Sequence, residues 1–520
     1  MTAMTFPVVG AFMLLISTAM VSGQTDSNWV ISSTLLSNCT AFYDDNVLQR
    51  GDFGDGFVFG VATSATQVEG APLEGGRGPS IWDVFAAVPG KIADSSLPNI
   101  TTDQYHKFLE DIKIMKELGV TSYRLSLSWS RILPDGIGEV NSAGIDHYKT
   151  VIEALKAAGI EPAVTLYHWD LPDYLHVNRG GWLNASIVEA FTNYAEVCFE
   201  AFGDDVKTWI TFNEPMETSI QGYGTGGMAP GRCSDREICE EGDSAVESYL
   251  VAHNILRSHA SAVASYRANY QKLQEGRIGI TLDSQFYFPI NQSNENVAAA
   301  NRALEFSYGW FADPVYFGDY PESMRTLVDD RLPQFSAAER QQLIGSADFF
   351  GLNFYTALYV WQGSASAPGT AWSDSQVGTS STNPLTGQVI GASTGSSWLK
   401  VVPEGMYGML MWITGRYNSF PIMITENGSS DVNDPDIPLE TALCDNQRLN
   451  FYRDYLSNVL KAKKDGANVQ GYYAWSLLDN WEWARGFLER FGIVFVDFSN
   501  PDLPRYPKAS AFWWQKFLST

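Results

Sequence analysis

Two short stretches, Thr211-Phe212-Asn213-Glu214-Pro215 and Ile424-Thr425-Glu426-Asn427-Gly428, decide the fold of this chain. In each, a glutamate follows a β-branched and aromatic run, and a proline or glycine comes within two residues of it. Such a run predicts a β-strand, and the proline or glycine predicts its end. Two carboxyl groups, 212 positions apart, are therefore expected where strands meet loops.

From residue 57 onwards, short β-rich runs alternate with longer helical patterns. Stretches such as QYHKFLEDIKIMKEL (104–118) and RLNFYRDYLSNVLKAKK (448–464) are apolar at the i, i+3, i+4 and i+7 positions of a helix. Eight strand–helix units predict an α/β fold, a single (β/α)₈ TIM barrel with long βα loops at 225–243 and 363–397. The Ser/Gly/Thr-rich 363–397 insert is expected to be a surface flap. The predicted strands are 57–62, 122–127, 161–167, 208–212, 277–282, 349–354, 421–425 and 469–475.

Charge and hydropathy restrict the location and the partners of the protein. The formal charge of −25 argues against nucleic acid and against an anionic membrane surface, since both attract basic proteins. An apolar segment at 8–23 that ends in small residues predicts a signal peptide over 1–23. No second apolar span is visible in the sequence, so we expect a secreted protein or one in the lumen of the secretory pathway, without a membrane anchor. Residues 24–51 then form an N-terminal extension, and 52–520 form one barrel domain.

The cysteines and glycosylation sequons fit this location. Cys233 and Cys239 lie close together in a Gly-rich loop and are predicted to form a disulfide. Cys198 lies in a helical pattern and is expected to be a buried free thiol, while a Cys39–Cys444 pair is left open. Asn427 is in a sequon but adjoins Glu426, so we expect it to be unmodified. The candidate glycosylation sites are Asn38, Asn99, Asn184 and Asn291.

Chemistry in such a barrel is expected at the carboxyl ends of the strands. The polar and aromatic residues found there are Gln67, Arg124, His168, Trp169, Asp170, Asn213, Glu214, Asn353, Tyr355, Glu426 and Trp475. The fifth strand offers Asp283 and Ser284, to which the sequence assigns no role. Two facing carboxyl groups can cleave a glycosidic bond, one as a proton donor and the other as a nucleophile. From the residues alone, a structural salt bridge or a metal site remains an alternative.

Longer motifs give a more specific indication. They are FVFGVATSATQVEG (57–70), YRLSLSWSRILP (123–134), TLYHWDLP (165–172), TFNEP, DFFGLNFYT (348–356), ITENG, YYAWSLLDNWEWARGF (472–487) and RFGIVFVDF (490–498). In this order they resemble glycoside hydrolase family 1, the β-glucosidase family, across residues 52–515. The resemblance implies that 52–520 is a glycoside hydrolase catalytic domain.

The resemblance also implies roles for single residues. Glu214 would be the acid/base and Glu426 the nucleophile of a retaining double displacement, about 5 Å apart. Arg124 would support Glu426, together with Tyr355. Trp475 would lie beneath the apolar face of the sugar, and Trp398 would be a platform for the leaving group. The implied substrate-binding set is Gln67, His168, Asn213, Tyr355, Trp398, Trp475, Glu482 and Trp483.

Departures from the family pattern would change the expected reaction. Plant thioglucosidases of this family replace the acid/base glutamate by glutamine, whereas Glu214 is intact. The phospho-glycosidases carry a lysine and a tyrosine for phosphate, whereas this chain has Glu489 and Phe491 in that segment. We therefore expect a phosphorylated sugar to be excluded.

The sequence thus predicts a secreted retaining β-glycosidase that hydrolyses terminal non-reducing β-D-glucosyl residues. Its expected substrates are small β-glucosides or cello-oligosaccharides, with β-fucosides and β-galactosides as further candidates. No cofactor and no metal is expected. The alternatives are a transglycosidase that uses the same residues and a non-catalytic, receptor-like sugar-binding relative. No sequence pattern indicates the leaving-group preference or the oligomeric state.

Overall fold

The chain folds around a closed barrel of eight parallel strands. The structure is a computed structural model that describes residues 27–39, 48–364 and 369–520. Each strand pairs with the next in sequence, and the eighth closes on the first, so the predicted (β/α)₈ barrel is confirmed. Every observed boundary lies within two residues of its prediction. The strands are β1 (Val58–Ala62), β2 (Ser122–Ser126), β3 (Glu161–Tyr167), β4 (Thr208–Asn213), β5 (Arg277–Asp283), β6 (Phe350–Asn353), β7 (Ile422–Asn427) and β8 (Val469–Trp475).

The helices cover the outside of the barrel because each presents one apolar side to it. In Asn446–Lys464, for example, Leu449, Tyr452, Leu456 and Val459 are buried, as the spacing of a helix requires. The α-helices are Ser27–Leu35, Ala65–Val68, Ile81–Ala87, Gln104–Leu118, Trp129–Ile132, Ser142–Ala157, Asp173–Arg179, Ile187–Phe202, Pro215–Glu217, Glu247–Asn269, Gln271–Gln274, Asn294–Phe306, Tyr308–Phe317, Glu322–Val328, Ala337–Leu343, Ala371–Asp374, Pro403–Arg416, Leu439–Leu443, Asn446–Lys464 and Ala509–Leu518. Short 3₁₀ helices occur at Leu36–Asn38, Arg50–Phe53, Gly181–Leu183, Asp329–Arg331 and Trp483–Arg485, and a π-helix at Thr218–Gly222.

Small sheets stand on the carboxyl side of the barrel strands and shape the loops there. Phe286–Pro289, Ala357–Gln362 and Val377–Ser380 form three strands of one sheet. The other pairs are Ala392–Ser393 with Lys400–Val401, Asp431–Val432 with Glu489–Arg490, and Val494–Val496 with Arg505–Pro507.

The 363–397 insert is more integrated than the predicted surface flap. Residues 365–368 lie outside the described part, but Val377–Ser380 pairs antiparallel with Ala357–Gln362. Ala371 and Ser396 are fully buried. The insert therefore packs into the loop layer around the site, because backbone pairing and buried side chains hold it there.

The N-terminal extension is fastened to the barrel domain. The predicted signal peptide lies outside the described residues. In the helix Ser27–Leu35, Trp29 is buried and packs edge-to-face on Phe512, with ring centroids 4.9 Å apart. A disulfide joins Cys39 to Cys444, with their Cα atoms 5.7 Å apart, which resolves the pairing that the sequence left open.

The structure shows the pairing of the remaining cysteines and the exposure of the asparagines in the sequons. Cys233 and Cys239 form a disulfide, and Cys198 is a buried free thiol. Asn427 is fully buried, whereas Asn99, Asn184 and Asn291 are exposed; the side chain of Asn38 lies outside the described part. Within the described ranges, no helix combines the length and the apolar character that a membrane span needs.

Candidate active site

Both glutamates lie at the carboxyl ends of their strands, and each strand is irregular just before its glutamate. The pairing register of β4 with β5 shifts between Ile210 and Asn213, and that of β7 with β6 shifts between Ile424 and Glu426. Glu214 itself has a φ of 45°, in the left-handed region that a glutamate rarely adopts. Irregular pairing of this kind re-aims side chains next to functional sites. The register shift before each glutamate therefore sets the direction of its carboxyl group at the end of the strand.

Glu426 is held by two donors. The Arg124 Nη1 atom donates to Glu426 Oε1 over 2.6 Å, and the Tyr355 hydroxyl donates to Oε2 over 2.7 Å. Both Arg124 and Glu426 are buried. A hydrogen bond to each oxygen leaves the carboxylate in one orientation.

Two asparagines connect Glu426 to Glu214. Asn213 Oδ1 accepts from Arg124 Nη2 (2.5 Å) and from Asn353 Nδ2 (3.1 Å). Asn353 Nδ2 also donates to Glu214 Oε1 over 2.7 Å. The two carboxyl groups are thus joined through Arg124 and the two amides, and this network fixes their relative positions.

The surroundings of Glu214 favour its protonated form. Burial raises the pKa of Glu214 well above its usual range, and the negative charges of Glu426, Asp283 and Glu217 raise it further. Burial also raises the pKa of Glu217 to about 7 and that of Asp283 well above its usual range. Glu214 can therefore donate a proton at a pH at which an exposed glutamate would already be ionised.

Beside the two glutamates lies a cluster of buried polar groups. Gln67 Nε2 donates towards Asn480 Oδ1 (3.0 Å) and Glu482 Oε2 (3.3 Å). In the described part of the chain, Glu482 Oε1 and His168 Nδ1 are buried without a hydrogen-bond partner. Burial and the charge of Arg124 lower the pKa of His168 well below its usual range, so its ring is neutral. Unpartnered buried polar atoms are costly, and a ligand with several hydroxyl groups would satisfy them.

Aromatic rings lie next to these polar groups. The His168 ring is stacked on Trp475 and on Trp483, with ring centroids 5.9 and 5.8 Å apart and interplanar angles of 22° and 18°. Trp398 is 47% exposed and meets the Tyr355 ring edge-on at 5.7 Å. Trp475 and Trp483 therefore form an enclosed apolar wall, while Trp398 stands at the rim.

Comparison with known proteins identifies the family that has this geometry. The family model described as glycosyl hydrolase family 1 matches residues 49–520. This chain belongs to glycosyl hydrolase family 1. The resemblance predicted from the motifs is confirmed.

Individual family 1 members are similar over nearly their whole length. The chain is 48% identical to Beta-glucosidase 6 of Oryza sativa subsp. japonica, which covers 94% of this chain and 95% of the relative. It is also 48% identical to Beta-glucosidase 40 of Arabidopsis thaliana, over 91% of this chain and 94% of that one. A rice β-glucosidase mutant in a covalent complex with glucose superposes with a TM-score of 0.90 at 47% identity, over 91% of this chain and all of the other.

The family 1 barrel brings together the residues predicted from the sequence, and it adds others that the sequence missed. Asp283 ends β5 beside Glu214, and the only signal for it was its position at a strand end. Glu489, considered only as evidence against phosphate binding, is buried close to Glu482, and its charge contributes to raising the pKa of Glu482. Among the described residues, no group of three or more His, Cys, Asp or Glu side chains is arranged to hold a metal ion.

Proposed function

We propose that this protein is a retaining β-glucosidase that works by double displacement through a covalent glycosyl–enzyme. The observation that carries the proposal is the contrast between two buried glutamates. Glu426 has a guanidinium and a phenol on its two oxygens, whereas Glu214 accepts from a neutral amide and is surrounded by other carboxyl groups. One is prepared to attack as a carboxylate and the other to deliver a proton, which is the division of labour of retaining glycosidases.

In the first step a Glu426 oxygen forms a bond to the anomeric carbon while the bond from that carbon to the leaving oxygen breaks. Glu214 gives its proton to the leaving oxygen and becomes a carboxylate. In the second step Glu214 takes a proton from water, the water oxygen bonds to the anomeric carbon, and the bond to Glu426 breaks. Two inversions return the β configuration, and both glutamates regain their starting protonation states.

The pocket residues hold the glucosyl ring. Glu482 Oε1 and His168 Nδ1 supply a carboxyl oxygen and a ring nitrogen without protein partners, and Gln67 adds an amide. Trp475, with Trp483, covers an apolar face of the sugar, while Asn213 is placed next to the anomeric side by Arg124. The rim position of Trp398 suits contact with the leaving group.

The finer parts of the proposal concern location and substrate. Residues 1–23 act as a signal peptide, 24–51 as an extension and 52–520 as the catalytic domain of a secreted glycoprotein, with Asn38, Asn99, Asn184 and Asn291 as glycan sites. The substrates are small β-glucosides or cello-oligosaccharides. The names of the similar proteins, among them two β-glucosidases of plants, support the glucosyl preference.

The decisive experiment compares the wild type with Glu426→Ala on a chromogenic aryl β-glucoside. We expect the wild type to release the aryl group and Glu426→Ala to lose turnover by several orders of magnitude. Azide, added at high concentration, should partly restore release from Glu426→Ala and give a glycosyl azide of inverted configuration, because a single displacement replaces two.

The outcome separates the possible errors. A glycosyl azide of retained configuration would show that Glu426 is not the nucleophile. No release by the wild type from any aryl β-glucoside between pH 4 and 8 would refute the enzyme itself.

A further inference from the structure

The rim residue Trp398 sits in a short hairpin, here called the platform loop (392–401). Ala392–Ser393 pairs antiparallel with Lys400–Val401, so the two ends of the loop are held together. Trp398 contacts Tyr355, whose hydroxyl donates to the nucleophile Glu426. The orientation of the platform loop therefore sets where Trp398 stands relative to the reacting carbon.

Ser396 is the buried anchor of the platform loop. Its backbone N–H donates to Ser430 Oγ over 2.8 Å, and its own hydroxyl donates to Glu489 Oε2. Because the single hydroxyl hydrogen of Ser396 is used in the bond to Glu489, the Ser430 hydroxyl must donate to Ser396 Oγ, 2.7 Å away. Ser430 therefore bonds both the backbone and the hydroxyl group of Ser396, and Glu489 accepts the bond from that hydroxyl group.

Glu489 is well suited to hold this set in place. Its side chain is 7% exposed, and Arg485 Nε donates to its Oε1 over 2.9 Å. It lies on a two-residue strand, Glu489–Arg490, which pairs with Asp431–Val432 in the segment that follows the nucleophile. A carboxylate oriented by a guanidinium and by backbone pairing is a fixed acceptor, unlike a flexible surface glutamate.

Glu489 also adjoins the glycone pocket. Its negative charge is, after burial, the largest influence that raises the pKa of Glu482. One carboxylate thus borders both the residue that receives the sugar and the loop that receives the leaving group.

We propose that Glu489 is a positioning residue that fixes the platform loop, and with it Trp398, against the glycone pocket, and so determines the preference for aromatic leaving groups. This rests on the proposed β-glucosidase function. Without Glu489 the loop keeps its hairpin and its backbone bonds to Ser430 but loses the bond from the Ser396 hydroxyl. Trp398 then samples more orientations, and contact with an aromatic leaving group carries a larger entropic cost. A leaving group too small to reach Trp398 should be insensitive to this change.

The test uses the ratio of kcat/KM for a naphthyl β-glucoside to that for methyl β-glucoside, because effects on the sugar cancel in the ratio. We expect Glu489→Ala to lower this ratio about tenfold. Ser396→Ala should lower it in the same direction by a smaller factor, and Glu489→Gln, which still accepts from Ser396, should retain most of it. Glu440→Ala, an exposed glutamate on Leu439–Leu443, is the matched control and should leave the ratio unchanged.

A second comparison distinguishes positioning from general damage. In a Trp398→Ala background, adding Glu489→Ala should change the ratio by less than about twofold, since the residue being positioned is gone. An unchanged ratio in Glu489→Ala, or a tenfold loss that persists without Trp398, would overturn the proposal. If Glu489→Ala does not fold, Ser396→Ala decides alone, and an unchanged ratio there overturns it. Absence of wild-type hydrolysis would instead refute the proposed function.

Discussion

The guanidinium of Arg124 organises the proposed catalytic groups, and its replacement by lysine gives a quantitative test. Arg124 donates to Glu426 Oε1 (2.6 Å), Asn213 Oδ1 (2.5 Å), the Thr425 carbonyl (3.1 Å) and Thr165 Oγ1 (3.2 Å). A lysine ammonium is a single point on a flexible stem and lacks the planar fork. In Arg124→Lys the positive charge remains, but the simultaneous bonds to Glu426 and Asn213 do not.

Losing one charge-assisted hydrogen bond of this network costs about 2–3 kcal/mol. Because the bond orients the proposed nucleophile, Glu426, most of this cost is expected in the transition state for attack. Arg124→Lys should therefore lower kcat/KM by roughly 30- to 160-fold. The bound sugar still meets Gln67 and Glu482, so we expect a smaller change in KM than in kcat.

The assay measures kcat/KM on dinitrophenyl β-glucoside, whose leaving group departs without a proton, and on phenyl β-glucoside, whose leaving group needs one. Arg124→Lys should impair both substrates equally, because it acts through Glu426. Glu214→Gln should impair only the phenyl substrate. Arg131→Lys is the control: Arg131 is an equally buried arginine, 3.1 Å from Glu69, and its replacement should change stability but not kcat. The reasoning is wrong if Arg124→Lys keeps more than a third of wild-type kcat/KM, or impairs only the phenyl substrate.

Three further predictions concern stability. Burial raises the pKa of Asp170 to about 7 from 3.8, so protonated Asp170 contributes fully to the free energy of unfolding below pH 3.8, and this contribution is lost as the pH rises through 7. In Asp170→Asn the free energy of unfolding, measured with urea at pH 4 and 7.5, should fall less between these pH values, by up to about 4 kcal/mol, whereas exposed Asp146→Asn should behave like the wild type. Gly428→Ala would place a Cβ 1.8 Å from the Trp475 carbonyl oxygen and should lower the free energy of unfolding by about 1–3 kcal/mol, whereas Gly415→Ala, with open space in a helix, should raise it by about 0.5–1 kcal/mol. Replacing Cys39 and Cys444 together by alanine should cost about 2–4 kcal/mol in thermal or urea unfolding and leave kcat/KM unchanged, which a drop in activity of the folded variant would contradict.

The barrel could be predicted because local and global signals agree. Each strand is a short apolar run, the helices between them have helical periodicity, and parallel strands place all their carboxyl ends on one side. Residues of the motifs, such as Glu214 and His168, follow directly from those ends.

Other features could not be predicted because they depend on contacts between distant loops. Ser396 falls within the predicted surface flap, but it is buried beside Ser430 and Glu489, which belong to two other segments of the chain. The Cys39–Cys444 disulfide spans 405 positions, so no local pattern indicates it. The register irregularities before Asn213 and Glu426 likewise arise from closing the barrel and from no pattern in either strand alone.

The carboxyl groups around the reacting carbon make the pocket selective for charge. Among Glu214, Asp283, Glu426 and Glu482, only Glu426 forms an ion pair with Arg124 within the described residues. Burial holds Glu214, Asp283 and Glu482 towards their protonated forms, so a cationic ligand would favour ionisation of one of them. Two opposite charges 4 Å apart at an effective dielectric constant of 20 then attract by about 4 kcal/mol. A ring the size of glucose with a protonated ring nitrogen should therefore bind far more tightly than its neutral counterpart. A glycoside with a carboxylate on the sugar should be repelled, so ionic strength would alter the two affinities in opposite directions.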